Sequence, residues 1–307
     1  MIITMSLLSW NILNPNLFSS YGDNYYGFEP EDVDTKKGKA RMNRIAKEIT
    51  KLKPDILLIQ ETNPDFTELI AKTSGLNYKE EIYGNACDYF GNEKKQNKFG
   101  TQILWSNNYE LKWFKSGNTK KCSKIGRAGS SYSCCLLNDI LVLTIHAKVD
   151  WDEDEKNQTI VNLSKELKNE LENDFKKISK TKLIIGGDFN AGLFNKKSYR
   201  GWHNFLTEIK KWLEPIFGDL NELNDNKWTI KMGDNNKLKI DHIITNIPKA
   251  FQDILDHKYF EKRNLIVGVK DDINAKFNKD ITKKNIVLSD HIPLYYKMDE
   301  TIIIKNF

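Results

Sequence analysis

Residues 182–190 read Lys-Leu-Ile-Ile-Gly-Gly-Asp-Phe-Asn, and this stretch decides the fold. Leu183 to Ile185 form a short apolar run between Lys182 and Gly186, which predicts a buried strand. Gly187-Asp188-Phe189-Asn190 then ends it on an acid and an amide, and glycine permits the close backbone approach that lets Asp188 and Asn190 turn to one edge. The same pattern recurs along the chain. Asn11 follows Leu-Leu-Ser-Trp, Glu61 follows Asp-Ile-Leu-Leu-Ile-Gln, and His146 follows Leu-Val-Leu-Thr-Ile. Asp241 falls inside Lys-Leu-Lys-Ile-Asp-His-Ile-Ile-Thr, and Asp290-His291 directly precedes the apolar run that starts at Ile292. A strand covered on both faces disfavours an unpaired carboxylate, because burying charge without a partner costs several kcal/mol. Strand after strand ending in acid, amide or imidazole therefore predicts a shared cluster at one edge of a sandwich. Such a cluster, rich in oxygen and free of sulfur, suits Mg²⁺ or Mn²⁺.

Working outward from that stretch, residues 2–13 read as a buried strand and 14–34 as an aromatic, turn-rich loop. Met42, Ile45, Ala46, Ile49 and Leu52 recur at helical spacing, Pro54 ends that helix, and 55–61 form the next strand. Strands are expected at 100–105, 131–137, 140–147, 227–231, 238–245 and 292–298. A long helix carries Ile160, Leu163, Leu167, Leu171, Phe175 and Ile178 on one stripe. The charge-rich stretches 92–98 and 270–285 read as solvated loops. His203 and His257 fit a helix or loop surface, and His242 reads as a packed or hydrogen-bonded neighbour of Asp241. With no internal repeat and no Pro/Ser-rich linker, residues 1–307 are expected to form one domain, two sheets sandwiched by helices.

Composition narrows the class without naming a substrate. Hydrophobic residues at 39% and charged residues at 29% are the balance of an ordinary soluble globular protein, and a net charge of +5 slightly favours polyanionic partners. The apolar start has no basic segment before it and is broken by Thr4, Ser6 and Ser9, so it reads as a strand, not a signal peptide. No run approaches the roughly 18 apolar residues of a membrane span. Cys87, Cys122, Cys134 and Cys135 lack metal-ligand spacing, and the adjacent pair cannot bridge to itself without strain. The expectation is a monomer without a membrane partner, in a reduced intracellular compartment, cytoplasmic or nuclear.

Taken in order, Trp10-Asn11, Gln60-Glu61, the His146 strand, Gly187-Asp188-Phe189-Asn190, Ile240-Asp241-His242-Ile243 and Ser289-Asp290-His291 span residues 10–291. That order resembles the exonuclease/endonuclease/phosphatase superfamily. The resemblance implies a four-layer αββα sandwich of two mainly antiparallel sheets flanked by helices, and a Mg²⁺-dependent phosphodiesterase. It also implies roles: Glu61 as principal metal ligand assisted by Asn11 and Asp290, and Asp188 orienting or deprotonating the attacking water. Asn190 would hold a phosphate oxygen, His291, oriented by Asp241, would contact the scissile phosphate, and His146 would be a second phosphate contact. Whether one or two ions act stays open.

Within the superfamily, Leu13 stands where apurinic endonucleases and tyrosyl-DNA phosphodiesterases carry an acid. Trp10-Asn11-Ile12-Leu13 and His146-Ala147-Lys148-Val149-Asp150-Trp151, followed by a helix with Gln158, are similar to the deadenylase and nocturnin branch; residues 66–124 match no branch. The loop with Tyr21, Tyr25, Tyr26 and Phe28 either offers faces on which unpaired bases stack or packs onto the body. The expectation is a nuclease on nucleic acid, first a 3′ exoribonuclease. A DNA-repair endonuclease or tyrosyl-DNA phosphodiesterase is one alternative, and a phosphoinositide or other small-molecule phosphoesterase is another.

Overall fold

The computed structural model describes residues 3–12, 36–79, 100–119, 130–147, 153–179, 181–194, 197–199, 201–223, 229–232, 236–248, 250–252, 259, 265–267, 286–289 and 291–300. In chain order the elements are β1 (Ile3–Asn11), α1 (Lys36–Leu52), β2 (Ile56–Thr62), α2 (Pro64–Ser74), β3 (Asn77–Tyr78), β4 (Gly100–Trp105) and β5 (Leu111–Asn118). Next come β6 (Ser131–Leu137), β7 (Ile140–His146), α3 (Glu153–Lys177), β8 (Lys182–Phe194), β9 (Lys197–Tyr199) and α4 (Trp202–Phe217). The remainder are β10 (Asn221–Glu222), β11 (Ile230–Met232), β12 (Asn236–Thr245), β13 (Ala250–Gln252), β14 (Leu265–Val267), β15 (Ile286–Ser289) and β16 (Leu294–Glu300).

Two mixed sheets result. The first runs β13-β16-β1-β2-β4-β3, and the second runs β10-β12-β8-β7-β6-β5 with β11 on β12 and β9 on β8. Each sheet is antiparallel except for one central parallel pair, β1 with β2 and β7 with β8. α1 lies between the strands of the first pair in sequence and α3 between those of the second, as a parallel pair requires.

Three apolar layers separate four structural layers. Trp10, Leu57 and Ile59 on one face of the first sheet meet Met42, Ile45 and Ile49 of α1 and Phe66 and Ile70 of α2. Between the sheets, Met5, Leu7, Ile56 and Leu58 meet Val142, Ile184 and Ile243. On the far side, Leu143, Leu183 and Ile185 meet Leu163, Leu167 and Phe175 of α3 and Phe205, Ile209 and Trp212 of α4. This is the αββα sandwich, and it arises because alternate residues of each central strand feed a different core. Among the described residues no helix is long and apolar enough to cross a membrane.

The expected strand at 182–186 runs on to Phe194, and α2, α4 and β5 add to the expected elements. The loops expected at 14–34, 92–98 and 270–285 lie outside the described residues, as does His257.

Gly187 has φ 141°, and a Cβ there would collide with the backbone carbonyl of Ile145 on the neighbouring strand. Gly187→Ala is therefore expected to lower stability by at least about 2 kcal/mol in urea denaturation, from strain and overpacking combined. An unchanged midpoint would contradict the β7–β8 register.

Candidate active site

Side-chain alternation brings most of the predicted residues together. In β1, Leu7 faces the layer between the sheets, and two and four residues on so do Ser9 and Asn11. In β7 the series Val142, Thr144, His146 faces the same layer, in β8 the series Ile184, Gly186, Asp188, Asn190, and in β12 the pair Ile243 and Asp241. The parallel registers set Asn11 beside Gln60 and His146 beside Asp188. Asn11 and His146 close β1 and β7, while Asp188 and Asp241 pair with each other in the middle of β8 and β12.

Glu61 breaks the rule. Gln60 occupies the inward position of β2 and donates from Nε2 to Thr144 Oγ1 of the other sheet at 2.9 Å. Simple alternation would then turn Glu61 toward the helices. Instead Glu61 adopts φ 56°, the ladder to β4 slips between Ile59 and Thr62, and the carboxylate reaches the site. Asn190 is also left-handed, at φ 49°. Residues other than glycine, asparagine and aspartate largely avoid this region, and its use by Glu61 stores strain at the site.

Asn11 Nδ2 donates to Glu61 Oε1 at 3.0 Å and to Asp188 Oδ2 at 2.9 Å, tying an acid from each sheet to one nitrogen. His146 Nε2 lies 3.5 Å from Glu61 Oε1 and 3.8 Å from Asp188 Oδ2. On the other side of Asp188, His291 Nε2 is 3.6 Å from Oδ2, while His291 Nδ1 is 2.8 Å from Asp241 Oδ2. An ionised carboxylate only accepts, so Asp241 holds the hydrogen on Nδ1 and turns Nε2 toward Asp188. The Asn190 backbone N–H donates to Asp188 Oδ1 at 2.8 Å, and Asn190 Nδ2 donates to the Ala147 carbonyl at 2.8 Å. Trp10 Nε1 donates to the His291 carbonyl at 3.1 Å, and Ser289 Oγ donates to the Asn11 carbonyl at 2.6 Å.

The Endonuclease/Exonuclease/phosphatase family model matches residues 8–137, a span that holds Asn11 and Glu61. Residues 8–137 are thus similar to the endonuclease/exonuclease/phosphatase family. Its fold is similar to that of D. rerio TDP2 complexed with single strand DNA product, at 12% identity over 97% of this chain and 99% of that one, with TM-score 0.54. It is similar to the human nocturnin catalytic domain with bound sulfate anion, at 16% identity over 96% and 92% of the two chains, with TM-score 0.54. A third likeness is to ANGEL2, a 2′,3′-cyclic phosphatase, in complex with adenosine-2′,3′-vanadate, at 14% identity over 97% and 96%, with TM-score 0.58. No curated protein matches the sequence.

The donor set of the site fits a hard cation. Among the described residues two groups could hold one, Glu61 with His146 and Asp188, and Asp188 with Asp241 and His291, the donor atoms of each lying within 4.8 Å of one another. Glu61 and Asp188 share one amide nitrogen and both are shielded from solvent, so their mutual repulsion calls for positive charge. Asn11 presents its nitrogen to these acids, and a ligand role for it would use Oδ1. Asp290, Tyr25 and Tyr26 lie outside the described residues, as does the 148–151 part of the His146 motif. His203 is exposed on α4.

His242 faces the opposite side of β12 from Asp241, fully buried and stacked on Trp202 with ring centroids 3.7 Å apart. Its Nδ1 meets Glu222 Oε1 at 2.6 Å, and its Nε2 lies 3.1 Å from the carbonyls of both Ala191 and Lys239. Burial opposes ionisation of Glu222, but the His242 ring, the Lys239 ammonium and the Trp202 indole outweigh it and draw its pKa down from 4.5 to about 2. Burial pulls the His242 pKa down, against the pull of Glu222.

Because the folded pKa of Glu222 lies below 4.5, its contribution is fully present above about pH 4.5 and lost as pH falls toward 2. The stability advantage of wild type over Glu222→Gln should therefore be constant from pH 7 to about 4.5 and shrink below that. An advantage that stayed level down to pH 2 in urea titrations would contradict this reading of the pair.

Proposed function

We propose that the protein hydrolyses phosphodiester bonds of nucleic acid with Mg²⁺ or Mn²⁺ bound, and acts as a 3′ exonuclease on single-stranded RNA. The observation that carries the reading is the arrangement around Asp188: Asn11 and Glu61 on one side, the Asp241–His291 pair on the other. Glu61 would be the principal ligand of the ion, joined by Asn11 and Asp290. When bound, such an ion would supply positive charge to the phosphate oxygens and the leaving oxygen.

Asp188 accepts a proton from the attacking water as its oxygen bonds to phosphorus and the bond to the leaving oxygen breaks. The Asn190 N–H on Asp188 Oδ1 steers the reactive lone pair to the other oxygen. A protonated His291, held by Asp241, offers Nε2–H to the negative phosphate, where charge grows in the transition state. His146 meets a second phosphate oxygen, and the remaining amide hydrogen of Asn190 a third.

The RNA preference rests on the Trp10–Leu13 and His146–Trp151 motifs, with Tyr25 and Tyr26 as stacking faces for bases. A second reading, action on DNA ends, is favoured by the likeness to TDP2 holding single strand DNA product. The single domain, the monomeric state and a reduced intracellular compartment belong to the same proposal, the last supported by Cys134 and Cys135, buried and unbridged.

Activity should vanish in EDTA and return with Mg²⁺ or Mn²⁺, and Asp188→Asn and His291→Ala should each lower kcat by at least about a hundredfold without unfolding the protein. Labelled poly(A), mixed-sequence RNA, abasic duplex DNA, 5′-tyrosyl DNA and phosphoinositides, run side by side, test the substrate. Faster turnover of either DNA substrate transfers the assignment to the second reading, and full activity in chelator removes the metal.

A further inference from the structure

The β8–β12 ladder slips between Lys239 and Asp241, immediately before the residue that orients His291. A slip of this kind takes backbone groups out of the ladder, and buried ones need other partners. Here two consecutive N–H groups, those of Ile240 and Asp241, both donate to one atom, Thr229 Oγ1, at 3.1 and 3.3 Å. Thr229 is fully buried. Its own N–H donates to the Leu238 carbonyl at 2.8 Å, and its carbonyl accepts from Ile292 N, the residue after His291, at 2.9 Å.

One residue thus holds the strand that carries Asp241 through its hydroxyl and the turn that carries His291 through its carbonyl. The Asp241–His291 bond of 2.8 Å joins the two elements that Thr229 already ties together. We infer that Thr229 is a positioning residue for the Asp241–His291 pair, acting through the hydroxyl that accepts both N–H groups of the strand slip. It reaches no substrate, and it sets the ring's distance and angle to Asp188. The inference rests on the phosphodiesterase reading, in which that pair meets the scissile phosphate.

Thr229→Val keeps the shape and removes the acceptor, while Thr229→Ser keeps the acceptor. With the nucleic-acid substrate that wild type cleaves, Val should lower kcat by about tenfold to a hundredfold with KM within about twofold, and Ser should restore kcat. A Val variant with wild-type kcat, or a Ser variant as slow as Val, overturns the inference. Should Val not fold, Thr229→Cys offers only a weak sulfur acceptor and is expected to lower kcat; wild-type kcat in Cys overturns it. Amide hydrogen exchange at Ile240 and Asp241 needs no substrate and should quicken in the Val or Cys variant. Unchanged exchange overturns the clamp itself, whereas wild-type protein inactive on every substrate overturns the phosphodiesterase reading and leaves the exchange result to decide the clamp.

Discussion

Asn11 Nδ2 donates at once to a carboxylate from each sheet, Glu61 of β2 and Asp188 of β8, and the rest of the site depends on that shared donor. Two acids this close repel, and they are held only because the sandwich brings the ends of β1 and β2 over those of β7 and β8. The layer between the sheets changes character to allow it. Met5, Leu7, Ile184 and Ile243 pack one end as hydrocarbon, while Gln60 with Thr144 and Thr101 with Ser133 hydrogen-bond across the other. Apolar burial fastens the sheets, and the polar seam lets charged groups follow without a solvent-filled gap.

Both halves use one device. A parallel strand pair with a helix between its strands carries candidate-site side chains toward the carboxyl edge, where open α/β sheets generally place their sites. The first pair delivers Asn11 and Glu61, the second His146 and Asp188. Where the device falls one residue out of phase, at Glu61, a left-handed backbone and a ladder slip restore the direction. Where β12 slips past β8, Thr229 and His242 take up the displaced N–H and carbonyl groups from opposite faces. Glu61 and Asn190, two of the left-handed non-glycine residues among those described, lie at the candidate site, and the cores beneath carry their cost.

Much of this was legible in the sequence, because period-two alternation and covered strands leave a plain mark. Asn11, His146, Asp188, Asn190 and Asp241 each end or interrupt an apolar run at the phase that faces inward. α2 and α4 left marks that the strand pattern overshadowed. Asn63 caps α2 by accepting from Phe66 N at 2.8 Å, Pro64 opens it and left-handed Gly75 closes it. In α4, Trp202, Phe205, Ile209, Trp212, Leu213 and Phe217 recur at helical spacing. The inward turn of Glu61 left no mark, since a positive φ at glutamate has no compositional signal. Nor did Thr229, whose work is set by a slip between two strands distant from it in sequence.

The central claim is that side chains from both sheets act as one unit. The most direct test is a double-mutant cycle in kcat with Glu61→Gln from the first sheet and Asp188→Asn from the second. If the two share one transition state at one site, the double variant should be within about tenfold of the worse single variant, because groups acting as a unit are grossly non-additive. Losses that multiply in the double variant would contradict a single composite site.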